Sequence, residues 1–153
     1  MSCCGKSASK LELTPLSEMQ KLMAEKIVKL PTENNPVVAH KFGADPAVLI
    51  YKDTVYVYST NDMQQFEYSA GKEENRYNKI NSLNLFSSKD LVNWTDLGEI
   101  PVAGKNGGKG DAAWATNSWA PAIAYKNIDG KDKFFLYFAD SGNGIGVLTA
   151  DSP

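Results

Sequence analysis

The pattern of apolar and polar positions divides the chain into an N-terminal helical segment and a longer region of short strands. Thr14 and Pro15 form a helix-start signature, a capping hydroxyl followed by proline at the first helical position. Apolar residues then recur at spacings of three and four: Leu16, Met19, Leu22, Met23, Ile27 and Leu30. We therefore predict an amphipathic helix that ends at Pro31 and packs on its own domain, preceded by a disordered segment at residues 1–10.

From residue 45 onward the pattern is typical of β-strands. Four short segments are apolar or alternate between apolar and polar residues, and turn residues separate them. They are Ala47–Tyr51, Thr54–Thr60, Ile80–Ser87 and Trp94–Ile100, interrupted by a turn at Lys52-Asp53 and a polar insertion at residues 61–79. Four strands joined in this way predict one antiparallel meander.

The strand pattern then starts again. Pro46–Lys52 is echoed by Pro121–Lys126, one residue shorter, and an aromatic alternating strand follows each copy, with Phe135–Phe138 in the second. A third strand of the second copy is predicted at Ile145–Ala150. Repeats of this four-stranded kind predict blades of a β-propeller. The alternative is a plain antiparallel sandwich in which the echo is a coincidence.

The chain is long enough for one complete blade and about three strands of another. A closed propeller typically needs four to eight blades. We therefore expect a fragment of a longer propeller, or one piece of an assembled one. Its unpaired strand edges would favour self-association.

Composition excludes several classes of function. With 16 basic and 18 acidic residues among 153, the chain has no basic stripe for nucleic acid or anionic lipid. No apolar run approaches the roughly 20 residues that cross a bilayer. Cys3 and Cys4 are adjacent, and His40 is the single histidine, so neither a disulfide framework nor a structural zinc site is expected. No apolar signal region precedes the two cysteines, so no signal peptide is predicted in this chain.

Asp45 is the first candidate for chemistry, because it directly precedes the first predicted strand. Pro46 disfavours helical angles at Asp45, so the carboxylate is predicted in an extended lead-in at the mouth of that strand. Catalytic acids are often held at such positions. The alternative is that this Asp-Pro pair is a turn or strand-start device.

Five groups of motifs occur in a fixed order along residues 34–153. They are Asn35-Pro36, His40–Pro46, Ser87–Trp94, Asn117–Ala122, and Phe134–Ala139 with Gly144–Pro153. In this order they resemble glycoside hydrolase family 43, and within it they look most like the arabinoxylan arabinofuranohydrolases and related β-xylosidases. We accordingly divide the chain into residues 1–33, a disordered segment and helix, and residues 34–153, the N-terminal blades of a propeller.

The resemblance implies an all-β fold, part of a five-bladed propeller, and an enzyme that inverts configuration at the anomeric carbon with three carboxylates around the central axis. It implies that Asp45 is the general base, which takes a proton from the attacking water. The family's other two carboxylates, an aspartate that tunes the acid's pKa and the glutamate that is the acid, come from later blades. These 153 residues alone are therefore expected to lack appreciable glycosidase activity.

The resemblance also implies sugar contacts and a substrate. Trp119 matches a tryptophan that lines the family's sugar pocket, and Asn117 is a candidate for hydroxyl contacts; the alternative is that Trp119 fills the core between blades. The implied partner is arabinoxylan or a related pentose polysaccharide, and full-length family members are extracellular or at the cell surface. The family often carries a cation on the propeller axis, but its ligands would lie beyond residue 153, so no cofactor or metal is expected within this chain.

Four other residues are considered for the site. Asp90 and Trp94 are assigned to a capped turn, and Asp111 and Asp140 are left open between solvent and the axis. Three functions remain: part of an inverting arabinofuranosidase or xylosidase, a carbohydrate-binding piece without catalysis, and a structural piece that associates with copies of itself.

Overall fold

The computed structural model of the chain describes residues 36–69 and 77–153. Its strands lie close to the predicted positions, and one short helix separates the second strand from the third. The elements are β1 (Ala44–Tyr51), β2 (Thr54–Thr60), α1 (Asp62–Tyr68), β3 (Ser82–Ser88), β4 (Thr95–Pro101), β5 (Trp119–Ile128), β6 (Lys131–Ala139) and β7 (Ile145–Ala150), with a single turn of 3₁₀-helix at Lys105–Gly107.

The strands form two antiparallel sheets in simple meander order. The first sheet has the order β1-β2-β3-β4 and the second the order β5-β6-β7. Asp129-Gly130, between β5 and β6, has positive φ at both residues, as tight hairpin turns require. The predicted all-β fold, with one four-stranded blade and three strands of a second, is confirmed.

The first strands of the two sheets are built alike. The register of β1 shifts between Ala44 and Ala47, and that of β5 shifts between Trp119 and Ala122. Within the two bulges Asp45 and Ala120 have φ of 51° and 43°, and each precedes a proline. The predicted equivalence of the two strands is confirmed. The predicted extended conformation of Asp45 is wrong, because the bulge turns the backbone into the left-handed region.

The core lies between the two sheets. Some Cα atoms of β1 and β5 lie within 8 Å of one another, so the sheets converge at their first strands, as neighbouring propeller blades do. Large apolar side chains fill the space behind them: Leu49, Tyr58, Leu83, Leu85, Phe134, Leu136 and Phe138. At the far end of β1 the ring of Tyr51 packs against Phe134, and its hydroxyl donates to Asp132 at 2.5 Å. One blade is thereby fixed against the other.

The polar insertion at 61–79 contains a helix that the pattern did not predict. Met63 and Gln65 of α1 are buried, and Phe66 packs edge-on against Phe42. The side chain of Gln64 accepts hydrogen bonds from the backbone amides of Asn81 and Ser82. Seven residues are too few for an apolar period to stand out, although the segment still docks on the sheet.

Several predictions lie outside the described residues. They concern the disordered segment at 1–10, the amphipathic helix from Thr14 to Pro31, the unit at 1–33, and Cys3 and Cys4. Within residues 36–69 and 77–153, no helix combines the length and the apolar character needed to span a membrane.

Candidate active site

A cavity of about 380 Å³ lies where the first strands of the two sheets begin. The start of β1, the end of β2, the first residue of α1 and the start of β5 all border it. Its lining residues are Ala44, Asp45, Thr60, Asp62, Tyr77, Ile80, Trp119, Ala120 and Ala139. Two of the three residues selected from the sequence, Asp45 and Trp119, therefore share one cavity although they are far apart along the chain.

Asp45 reaches this cavity from the bulge in β1. It is exposed, and its carboxylate makes no hydrogen bond or ion pair with any residue of the described segments. Gly43 allows the chain to pass close to β2, because a Cβ at this position would collide with the side chain of Ser59. The result is a free carboxylate that water can approach.

Trp119 is held in a defined orientation at the start of β5. Its indole Nε1 donates to the carbonyl of Tyr77 at 2.9 Å, and the two rings meet edge to face with centroids 6.5 Å apart. The polar atom of the indole is therefore satisfied by the protein. Its apolar ring contributes to the cavity wall, which suits contact with the C–H surface of a sugar.

Thr60 joins the two sheets at the cavity. Its side chain is buried, and its Oγ1 accepts a hydrogen bond of 2.9 Å from the backbone amide of Ala120. Thr60 also pairs with Ala44 across the first sheet. This one side chain therefore connects the two bulges that place Asp45 and Trp119.

Asp62 brings a second carboxylate to the cavity. It is the first residue of α1 and is half-buried. Burial, and secondly the charge of Asp45, raise the pKa of the Asp62 carboxyl above its ordinary value. The cavity thus holds two carboxylates and two aromatic rings, those of Tyr77 and Trp119.

The structure does not bring Asn117 to the cavity. Asn117 is buried, and its side-chain amide donates to the carbonyl of Ile80 at 3.2 Å. Its backbone amide donates at 2.7 Å to Asp140, which also accepts from the amide of Thr116. Asn117 and Asp140 together hold the entry to β5 in place, and the Asp140 side chain is buried rather than exposed to solvent.

A second cavity, of about 310 Å³, lies between the two sheets and is mostly apolar. Tyr58 and Leu85 from the first sheet and Phe134 and Leu136 from the second contribute to its walls. Asp111 is the one acidic residue among the described residues that line it, and it is exposed to solvent. This cavity offers packing space rather than converging polar groups.

Asp90 and Trp94 form the predicted capped turn. Asp90 accepts hydrogen bonds from the backbone amides of Val92 and Asn93 and from the Asn93 side chain. These bonds, that of the Asn93 side chain foremost, hold the pKa of Asp90 well below its ordinary range. Trp94 donates its indole N–H to the carbonyl of Leu91. The structural assignment of this turn is confirmed.

Three cavity residues with polar side-chain groups were missed by sequence reasoning. Thr60, Asp62 and Tyr77 come from the end of a strand, the start of a short helix and the residues before β3. No motif marks them, because they meet only when both sheets are formed. Among the described residues, no group of three or more histidine, cysteine, aspartate or glutamate side chains is placed to hold a metal ion.

Comparison with known proteins identifies a protein family whose sequence profile matches most of this chain. The profile of Glycosyl hydrolases family 43 matches residues 33–153. An arabinoxylan arabinofuranohydrolase from Paenibacillus polymyxa is 51% identical over 130 residues, which are 83% of this chain and 20% of that protein. An arabinoxylan arabinofuranohydrolase from Bacillus subtilis (strain 168) is 52% identical over 130 residues, again 83% of this chain and 25% of the relative. The chain thus spans a fifth to a quarter of the length of these curated relatives.

Solved structures show the same likeness. The crystal structure of a family 43 arabinoxylan arabinofuranohydrolase from Bacillus subtilis, in complex with cellotetraose, matches with a TM-score of 0.73 and 53% identity. The match covers 78% of this chain and 25% of that one. The structure of RS223-β-xylosidase matches with a TM-score of 0.51 and 25% identity, over 74% of this chain and 33% of the other.

Proposed function

This chain belongs to glycosyl hydrolases family 43, and on that premise we propose that it forms the N-terminal blades of an inverting glycosidase that releases arabinofuranose or xylose from arabinoxylan. The observation that carries the proposal is the shared cavity. Asp45 and Trp119, both selected from the sequence, line it together. A carboxylate beside an aromatic face supplies a base and an apolar wall for a pentose, which are two of the parts that a pentose-hydrolysing site needs.

Asp45 is assigned as the general base. Its carboxylate is exposed and makes no bond with other described residues, so it is available to accept a proton from a water molecule. That water attacks the anomeric carbon from the face opposite the leaving oxygen, and the configuration inverts. The leaving oxygen needs a carboxylic acid about 6.5–9.5 Å from the base, which leaves room for the water between them.

Trp119 is assigned as the wall on which the sugar ring rests. Its N–H is already bound to Tyr77, so the ring keeps its orientation when a ligand enters. Stacking of an apolar sugar face on a fixed ring costs little side-chain entropy, because no rotamer is lost on binding. Trp119 thereby supports the placement of the anomeric carbon near Asp45.

The general acid is proposed to come from a blade that these 153 residues do not include. The family resemblance implies that the acid glutamate and the pKa-tuning aspartate belong to later blades, and we assign them there. General acid assistance is typically worth about 10²–10⁴-fold. We therefore predict that the isolated chain binds a pentose without turning it over at an appreciable rate.

The test combines hydrolysis with binding. The purified chain and its Asp45→Asn variant are incubated with 4-nitrophenyl α-L-arabinofuranoside, and calorimetric titration with methyl α-L-arabinofuranoside is run in parallel. We expect no difference in hydrolysis between the two proteins, and sugar binding that Trp119→Ala abolishes. Hydrolysis faster than in the Asp45→Asn control would refute the missing-acid argument, and wild-type protein that binds no pentose would refute the site itself.

A structural role through self-association is the second candidate. Exposed apolar residues lie on an edge strand of each sheet: Val48 and Ile50 on β1, and Ile145 and Val147 on β7. Apolar surface of this kind is normally covered by another blade or another chain. Other copies of this chain would cover this apolar surface, and such an assembly would need neither sugar binding nor hydrolysis.

A further inference from the structure

The cavity contains a carboxylate that the proposed chemistry does not use. Asp62 lines the cavity together with Asp45 and Trp119. Neither aspartate forms a hydrogen bond or an ion pair with another residue of the described segments, although many other aspartates of the chain do. Those with hydrogen-bond partners include Asp90, Asp96, Asp132, Asp140 and Asp151.

A purely structural role does not account for this position. An acidic residue in the first turn of a helix interacts favourably with the helix dipole on any face of the helix. Asp62 instead lies on the face where burial and the charge of Asp45 oppose its ionisation. Asn61, which precedes it, donates its side-chain amide to Ser82 at 2.9 Å, and no side chain caps the helix. Shifted carboxylates in a cleft are typical of functional sites.

The surrounding contacts keep Asp62 in place. The backbone amide of Gln64 donates to the carbonyl of Asn61. The Gln64 side chain donates to the Asn81 side chain at 2.8 Å and accepts from the backbone amides of Asn81 and Ser82 at the start of β3. The first turn of α1 is therefore fixed to the first sheet. A functional side chain on an anchored element keeps its geometry when a ligand arrives.

We propose that Asp62 is a substrate-binding residue that accepts hydrogen bonds from ring hydroxyl groups of the terminal pentose. The inference rests on the proposed function, because it places a pentose in this cavity. A carboxylate has two oxygens that accept from neighbouring hydroxyls, and hydrogen bonds to a charged acceptor are stronger than neutral ones. Asp45 then acts on water, Asp62 holds the sugar, and Trp119 supports its apolar face.

The experiment uses the 153-residue chain labelled with ¹⁵N and titrated with methyl α-L-arabinofuranoside, followed by NMR. In the wild type we expect shifts at the backbone amides of Asp45 and Trp119. Asp62→Asn keeps the size of the side chain and removes its charge, and we expect it to weaken binding by at least about 10-fold. Glu67→Gln is the matched control, because Glu67 lies on the same helix, is exposed and does not line the cavity. It should leave the dissociation constant unchanged.

Deoxy analogues of the sugar separate recognition from a general structural effect. If Asp62 accepts from a given hydroxyl, removal of that hydroxyl weakens binding to the wild type but has little further effect on Asp62→Asn. The proposed role of Asp62, but not the proposed function, would be overturned if removal of each hydroxyl weakened binding to Asp62→Asn by the same factor as binding to the wild type. It would also be overturned if Asp62→Asn bound the sugar as tightly as the wild type. A wild type that binds no pentose would overturn it together with the proposed function. If Asp62→Asn does not fold, the same titrations are carried out with Asp62→Ser.

Discussion

At the scale of single residues, Tyr58 shows what burial between the two sheets does to a polar group. Its side chain is 2% exposed, and its hydroxyl has no hydrogen-bond partner among the described residues. Burial raises the pKa of Tyr58 to about 12. An unfolded chain loses this proton near pH 10, so the unfolded state binds fewer protons than the folded state between about pH 10 and pH 12. Stability therefore falls as the pH rises through that window.

Tyr58→Phe tests this description. The substitution removes a buried hydroxyl without a partner and keeps the ring, so we expect the free energy of unfolding at pH 8 to rise by roughly 1 kcal/mol. We also expect a shallower loss of stability between pH 10 and pH 12. Urea denaturation at several pH values measures both, with the partly exposed Tyr137→Phe as control. A loss of 1 kcal/mol or more at pH 8 would mean that the hydroxyl is hydrogen-bonded.

The sequence allowed some residues of the cavity to be predicted, but not others. Asp45 and Trp119 could be selected from motifs, because the residues around them occur in a characteristic order. The positive φ of Asp45 could not be predicted from the sequence, because it depends on a bulge that exists only when β1 pairs with β2. Asp62 carries no sequence signal. Asn117 was selected because it lies two residues before Trp119, and in the structure its side-chain amide donates to the carbonyl of Ile80.

At the scale of elements, the cavity depends on how the end of β2 meets the start of β5. Thr60 is the last residue of β2, and its hydroxyl accepts from the amide of Ala120 inside the second bulge. Both residues line the cavity. The backbone that positions Trp119 is therefore connected directly to the strand beside Asp45.

Thr60→Val keeps the shape of this side chain and removes the acceptor. The amide of Ala120 then loses its partner, and we expect the free energy of unfolding to fall by about 1–3 kcal/mol. The amide of Ala120 should also exchange its hydrogen faster. Thr95→Val, at an exposed position of β4, is the matched control. Equal stability and equal exchange rates in the two variants would show that this contact does not hold the blades together.

Strand positions could largely be predicted from the sequence, and the short helix could not. Alternation and the repeated Pro-Ala segments identify the strands, and β7 has the predicted bounds at Ile145–Ala150. β1 begins at Ala44, three residues before the predicted start, because pairing extends through the bulge. The helix α1 is stabilised by tertiary contacts of Met63, Gln64 and Phe66, which a local pattern does not reveal.

At the scale of the whole molecule, the two sheets have apolar side chains on both their inner and outer surfaces. Large apolar side chains are buried between the sheets, whereas Val48 and Ile50 on the outer side of β1 are 59% and 71% exposed. The curated relatives are four to five times as long as the part that this chain matches. We infer that these outer surfaces are where further blades pack, and that those blades supply the acid that completes the chemistry of Asp45.

The most direct measurement is activity in a complete enzyme. Residues 34–153 replace the matching region of the Bacillus subtilis arabinoxylan arabinofuranohydrolase, and the release of arabinose from arabinoxylan is measured for the chimera and its Asp45→Asn variant. We predict an active chimera whose kcat/KM falls by about 10²–10⁴-fold in Asp45→Asn, the range expected for loss of a general base. Asp53→Asn, in the exposed β1–β2 turn, should have full activity. A folded chimera that is inactive, or one in which Asp45→Asn is as active as Asp53→Asn, would contradict the account.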